Sequence, residues 1–176
     1  MEDATVALAY LHEHQILHRD VKGENVLVYS LNPKTSVCGK LTDFGTCRSI
    51  SERSLQNKEL TNGIGTPTYM APECLKNQKY DYKADVYSFG IVLYETFIEK
   101  NAFDEEKFNQ QWMIPQFVIQ GKRLDKPKHI PFDYWNLIQK CWNQNQEERP
   151  TFGQIYAILI SLDGIDICHT EMNSQK

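Results

Sequence analysis

His18-Arg19-Asp20-Val21-Lys22-Gly23-Glu24-Asn25 is followed, in order, by Asp43-Phe44-Gly45 and by Ala71-Pro72-Glu73. Any one of the three says little, since Asp-Phe-Gly is commonly a turn and a loop histidine commonly makes only local hydrogen bonds. Their weight comes from the elements around them. Upstream, Val6, Leu8, Ala9 and Leu11 suit a helix from Ala4 to His14, one without a recognisable N-cap. Between the first two motifs, apolar pieces at Val26 to Tyr29 and Lys40 to Leu41 flank Asn32-Pro33, a turn signal, and predict a β-hairpin. From Ile50 to Gly63 the chain is polar and reads as a long loop of the kind that usually carries function.

Beyond Pro72 the pattern turns helical. Lys83 to Ile98 is apolar nearly all round, as a helix buried inside a domain must be. Further helices are predicted over Glu105 to Gln120, stopped by Gly121, and over Phe132 to Trp142, where Tyr134, Leu137, Ile138 and Cys141 share one face. Thr151 and Gln154 have capping-box spacing and open a last helix, Phe152 to Leu162. The tail from Asp163 is polar and predicted to fray. The pieces describe an α+β chain, mainly helical, with a domain over residues 1–164 and a polar tail over 165–176.

Composition narrows the function classes. The chain has 176 residues, 41% of them hydrophobic and 24% charged, which suits one domain with a substantial core and excludes disorder or coiled coil. Lysine plus arginine number 19 against 23 acids, a net charge of −4 with no obvious basic face, so nucleic acid is not an expected partner. The five cysteines form no Cys-x-x-Cys pair and read as reduced thiols of a cytoplasmic protein. The start, Met1-Glu2-Asp3, is unlike a signal peptide, and no apolar run reaches the roughly 18 residues of a membrane span. His12, His14 and His18 do not make a metal site, because the helix should end before His18 and nothing completes a ligand set.

The three motifs, in this order and setting, resemble the signature set of eukaryotic protein kinases. The resemblance covers residues 4 to about 162 and implies the C-terminal lobe of a kinase domain, with the hairpin at its catalytic cleft. It implies ATP and Mg2+ as cosubstrate and cofactor, and protein serine or threonine hydroxyls as acceptors. Asp20 corresponds to the group that accepts or orients the hydroxyl, Asp43 and Asn25 to the magnesium ligands, and Lys22 to the charge beside the transferred phosphate. Leu27 matches the position beneath the adenine ring. His18 and Phe44 resemble members of the family's hydrophobic spine, anchored by Asp85, which should accept bonds from the backbone at His18 and Arg19. Glu73 and Arg149 resemble an internal ion pair.

Lys22 and Gly65-Thr66-Pro67-Thr68-Tyr69 resemble serine/threonine rather than tyrosine kinases, with Thr66 bridging Asp20 and Lys22. Cys141-Trp142 and Glu148-Arg149-Pro150-Thr151-Phe152 look like the tyrosine-kinase-like group, while Gly23 replaces a common proline. Arg19 beside Asp20 implies a switch by loop phosphorylation, at Thr61 or else at Ser54 or Ser51. The glycine-rich loop, the phosphate-holding lysine and its glutamate partner have no counterpart in these residues. The chain is therefore read as part of a serine/threonine kinase, or alternatively as a catalytically inactive lobe serving as a binding module. On either reading the surface around Leu27, Val26 and Phe44 is exposed and apolar.

Overall fold

Helix α1 (Glu2–Glu13) buries Ala4, Thr5 and Leu8, and its acidic first turn complements the helix dipole. In that turn Asp3 does a second task. Its Oδ2 accepts the backbone N–H groups of Cys38 (2.7 Å) and Gly39 (2.8 Å), which fixes the hairpin to the helix. The computed structural model describes residues 1–32, 35, 37–50, 65–103, 106–110 and 112–173. The predicted loop between Ile50 and Gly63 lies outside the described residues, apart from Ile50 itself, which is buried.

Two small antiparallel sheets follow α1. Strand β1 (Ile16–Leu17) pairs with β4 (Arg48–Ser49), while β2 (Val26–Val28) pairs with β3 (Gly39–Leu41) in the register Val26 to Leu41, Leu27 to Lys40 and Val28 to Gly39. The second pair is the predicted hairpin. The first was not predicted, because two-residue strands carry no periodicity to read.

The helices pack around α3 (Lys83–Ile98), in which Val86, Tyr87, Phe89, Ile91, Val92, Leu93 and Tyr94 are all buried. Each large apolar side chain so buried contributes about 1.5–3 kcal/mol. Helix α2 (Pro72–Leu75) precedes it, and α4 (Met113–Ile119), α5 (Phe132–Cys141) and α6 (Phe152–Asn173) follow. Helix α1 lies on α6, and α5 lies on α3. Gly90 allows that second approach, since a Cβ there would stand 2.8 Å from the Cys141 Cβ.

Two helix expectations are corrected. Among the described residues, the helix predicted over Glu105 to Gln120 is confined to Met113–Ile119. Pro115 is the reason: it fits the first turn of a helix beginning at Met113, but inside a longer one its ring would meet the carbonyl of residue 111. The last helix runs on past Leu162 to Asn173, because an isolated Gly164 weakens a helix without terminating it. Its start is as predicted. The Thr151 N–H donates to Gln154 Oε1 (2.8 Å) and the Gln154 N–H to Thr151 Oγ1 (3.3 Å), a closed capping box. No helix among the described residues is long and apolar enough to cross a membrane.

Candidate active site

The turn after β1 carries the site. Arg19 adopts φ 69°, a left-handed conformation unfavourable for a side chain of its size, and the backbone holds it only because its neighbours are pinned. The pin is Asp85, 1% exposed near the start of α3. Its Oδ2 accepts the His18 N–H (2.8 Å) and lies 3.0 Å from His12 Nε2, while its Oδ1 accepts the Arg19 N–H (2.9 Å). The anchoring of His18 and Arg19 by Asp85 is as the sequence implied. The part of His12 was not, since its spacing from His14 and His18 suggested only a metal site to reject.

The turn so fixed presents Asp20. Its Oδ1 accepts both the N–H (3.0 Å) and the hydroxyl (2.9 Å) of Thr66, and its Oδ2 pairs with Lys22 Nζ at 2.9 Å. Lys22 Nζ also donates to Thr66 Oγ1 (3.3 Å), so that the threonine hydroxyl links acid and base. Burial works to raise the proton affinity of Asp20, but the hydrogen bonds from Lys22 and Thr66 outweigh it and hold the carboxyl below its usual range. Lys22 is pushed up, chiefly by its bond to Asp20, with Glu24 and Asp43 adding to the effect. Asn25 is buried and donates through Nδ2 to the Asp20 carbonyl (2.8 Å), which leaves its side-chain oxygen as an acceptor. Thr66 itself approaches over Gly65, whose φ is 113° and where a Cβ would stand 2.7 Å from the Arg19 carbonyl oxygen.

Asp43 comes from the other side. The Thr42 N–H donates to the Asn25 carbonyl (2.9 Å), tying the end of β3 to the turn, and Asp43 follows with φ 59°, its Oδ1 accepting the Gly45 N–H at 3.3 Å. Asp43 and Asn25 each carry a hard side-chain oxygen, the kind of donor that Mg2+ takes. Phe44 is half exposed, and its ring meets the buried His18 ring edge-on at 5.7 Å. His18 donates from Nε2 to the Thr42 carbonyl (3.1 Å). Leu27 lies on β2, 54% exposed. Val28, Tyr29 and Leu31 are exposed as well.

Arg19 Nε donates to the Thr46 carbonyl (2.6 Å), and the Thr46 hydroxyl donates to the His18 carbonyl (2.7 Å). Neither Thr42 nor Thr46 stood out in the sequence, because a threonine whose hydroxyl bonds a backbone carbonyl far along the chain leaves no pattern. Thr61, Ser54 and Ser51 lie outside the described residues. Away from the turn, Arg149 and Glu73 form a two-pronged buried pair, Nη1 to Oε1 at 2.6 Å and Nη2 to Oε2 at 2.8 Å.

The turn after β1 thus carries a carboxylate held between a lysine and a threonine, with a second carboxylate at the end of the hairpin and a buried aspartate pinning the backbone of the turn. The family model for the protein kinase domain matches residues 1–158, and the chain belongs to that family. It is 40% identical over 153 residues to gdt2, a probable serine/threonine-protein kinase of Dictyostelium discoideum, covering 85% of this chain and 9% of the relative. It is 38% identical over 155 residues to the RGS domain-containing serine/threonine-protein kinase A of the same organism, covering 88% and 13%. A probable LIM domain-containing serine/threonine-protein kinase from that organism matches at 37% over 153 residues, with 87% of this chain and 22% of the relative covered. All three of these relatives bear the name of serine/threonine-protein kinases. The chain spans between about a tenth and a quarter of the lengths of these three proteins.

Proposed function

We propose that this chain carries the C-terminal lobe of a serine/threonine protein kinase of the tyrosine-kinase-like group. The protein containing it would transfer the γ-phosphoryl group of ATP to serine and threonine hydroxyls of proteins. The observation that carries the proposal is the Asp20 carboxylate, held ionised between Lys22 and Thr66. Phosphoryl transfer has a loose transition state, so the protein mainly positions groups and neutralises charge. Asp20 accepts the proton of the attacking hydroxyl, or orients that hydroxyl, as its oxygen bonds to phosphorus and the bond to the ADP oxygen breaks. Lys22 offsets the charge on the group in transit. Asp43 and Asn25 are the residues that would hold Mg2+, which when bound neutralises charge across the phosphates. Leu27 would support the adenine.

The serine/threonine reading is supported by Lys22 and by Gly65 to Tyr69, and the subgroup by Cys141-Trp142 and the residues from Glu148 to Phe152. Arg19 is the residue that would receive a phosphate on Thr61, Ser54 or Ser51. Free thiols at Cys38, Cys47, Cys74 and Cys141 are in keeping with the cytoplasm. A second reading, an inactive lobe that binds a partner, draws on the exposed Leu27, Val28 and Phe44. The full-length protein, given ATP, Mg2+ and a serine/threonine peptide array, decides between them. Transfer that Asp20→Asn lowers about 10²–10⁴-fold supports catalysis. No transfer by the unaltered protein, or transfer indifferent to Asp20→Asn, overturns it.

A further inference from the structure

Asn25 and Asp43 stand where the two strands of the hairpin meet the turn. Asn25 immediately precedes β2, while Thr42 and Asp43 follow β3. The strands are tied together there, since the Asn25 carbonyl accepts both the N–H (2.9 Å) and the hydroxyl (3.2 Å) of Thr42. They are tied again at the opposite end, where the Cys38 carbonyl accepts the N–H groups of Tyr29 (2.7 Å) and Ser30 (3.2 Å). Bonded at both ends and paired between, the hairpin is one piece, and whatever sets its tilt sets the Asn25 and Asp43 side chains together.

Apolar burial sets that tilt only weakly. Leu41 is buried and Val26 half-buried, but Leu27 and Val28 are exposed, Lys40 is exposed, and Gly39 has no side chain to bury. A two-stranded hairpin is marginal by itself and takes its placement from what it is fastened to. The fastening at the end remote from the turn is Asp3, whose Oδ2 accepts two successive N–H groups, those of Cys38 and Gly39. Hydrogen bonds to an ionised acceptor are roughly twice as strong as neutral ones. The carboxylate is also a fixed point, because Ala4, Thr5 and Leu8 beside it are buried and α1 lies on α6. Asp43 follows Gly39 by four residues, roughly 10–13 Å of extended chain, so a tilt of about 5° moves one end against the other by about 1 Å. Mg2+ takes its oxygens at about 2.0–2.1 Å in near-ideal octahedral geometry, and a displacement of that size matters to it.

We propose that Asp3 is a positioning residue for the metal-holding pair: from the first turn of α1 it sets the tilt of the hairpin and, through it, the placement of Asn25 and Asp43. The proposal rests on the reading of that pair as the holders of Mg2+. Asp3 touches neither nucleotide nor metal. Its action is carried by the ladder of β2 and β3 and by the Thr42 bonds to Asn25.

The test is electron paramagnetic resonance on the full-length protein, with Mn2+ in place of Mg2+ and a non-hydrolysable ATP analogue. Asp3→Ala should weaken binding of the Mn2+ complex about tenfold. Affinity for the analogue without metal, read by displacement of a fluorescent nucleotide, should hardly change. Two further variants separate hydrogen-bond acceptance from charge at the helix start. Asp3→Asn loses the charge but keeps an acceptor oxygen and should retain most of the affinity, whereas Asp3→Glu keeps the charge, carries it one carbon further out and should lose affinity. Gly90→Ala, which disturbs helix packing away from the hairpin, should leave Mn2+ binding as it is. Unchanged Mn2+ binding in Asp3→Ala, full binding in Asp3→Glu with loss in Asp3→Asn, equal loss with and without metal, or equal loss in Gly90→Ala would each overturn this proposal alone. An unaltered protein that binds no Mn2+ complex would overturn the functional reading and this proposal with it.

Discussion

The hydroxyl of Thr66 stands between an acid and a base, donating to Asp20 Oδ1 and accepting from Lys22 Nζ. Because these bonds hold the Asp20 carboxyl below its usual range, its folded value lies beneath its unfolded one. The stability this group contributes is therefore complete above the ordinary carboxylate range, near pH 4, and is lost as pH falls through the lowered value. Thr66→Val removes the hydroxyl donor and leaves the N–H. The Asp20 carboxyl should then titrate at higher pH than in the unaltered protein, as read by side-chain carbon NMR. An unchanged titration would mean that the hydroxyl has no part in holding the charge. At this scale the sequence was legible where functional residues are contiguous, as from His18 to Asn25. It was silent where a role depends on a neighbour far along the chain. His12 reaches Asp85 across 73 positions, and no spacing rule connects them.

Among the elements, α3 and α5 are those whose boundaries could be read directly, α3 because sixteen residues with apolar groups on nearly every side suit a buried helix and α5 because its apolar residues share one face. Helix α4 was misread through a single proline, and β1 with β4 were too short to register. What α3 does for the site is less visible in its pattern than its burial. Asp85→Asn keeps one oxygen and turns an NH2 group toward a backbone N–H that now lacks an acceptor, which should cost about 2–3 kcal/mol in urea denaturation. Gly90→Ala tests the packing of α3 on α5. Alanine improves helix propensity by about 1 kcal/mol, yet its Cβ would meet Cys141 and, at 3.2 Å, the Trp142 nitrogen. A net loss of about 1–3 kcal/mol is expected from the enforced separation. A gain in stability would show that the two helices part easily.

Across the whole molecule, Glu73 and Arg149 join parts of the chain 76 positions apart, and the Arg149 guanidinium also lies 5.2 Å from the Tyr87 ring centre. Arg149→Met leaves Glu73 buried without its cation and should cost about 3–5 kcal/mol, measured by denaturant unfolding. Glu73→Leu combined with Arg149→Met removes both charges and should lose less than the single change does. A double variant as unstable as the single one would assign the loss to packing. The three motifs announced this architecture because each sits at a junction of elements.

The anchoring of the turn by Asp85 also fixes when that turn can open. The amide protons of His18 and Arg19 point into a carboxylate buried near the start of α3, so they exchange only when the turn and that carboxylate part. Their hydrogen exchange should therefore be slower than that of surface-loop amides. The protection of two amides thus reports whether the backbone that presents Asp20 is held in place.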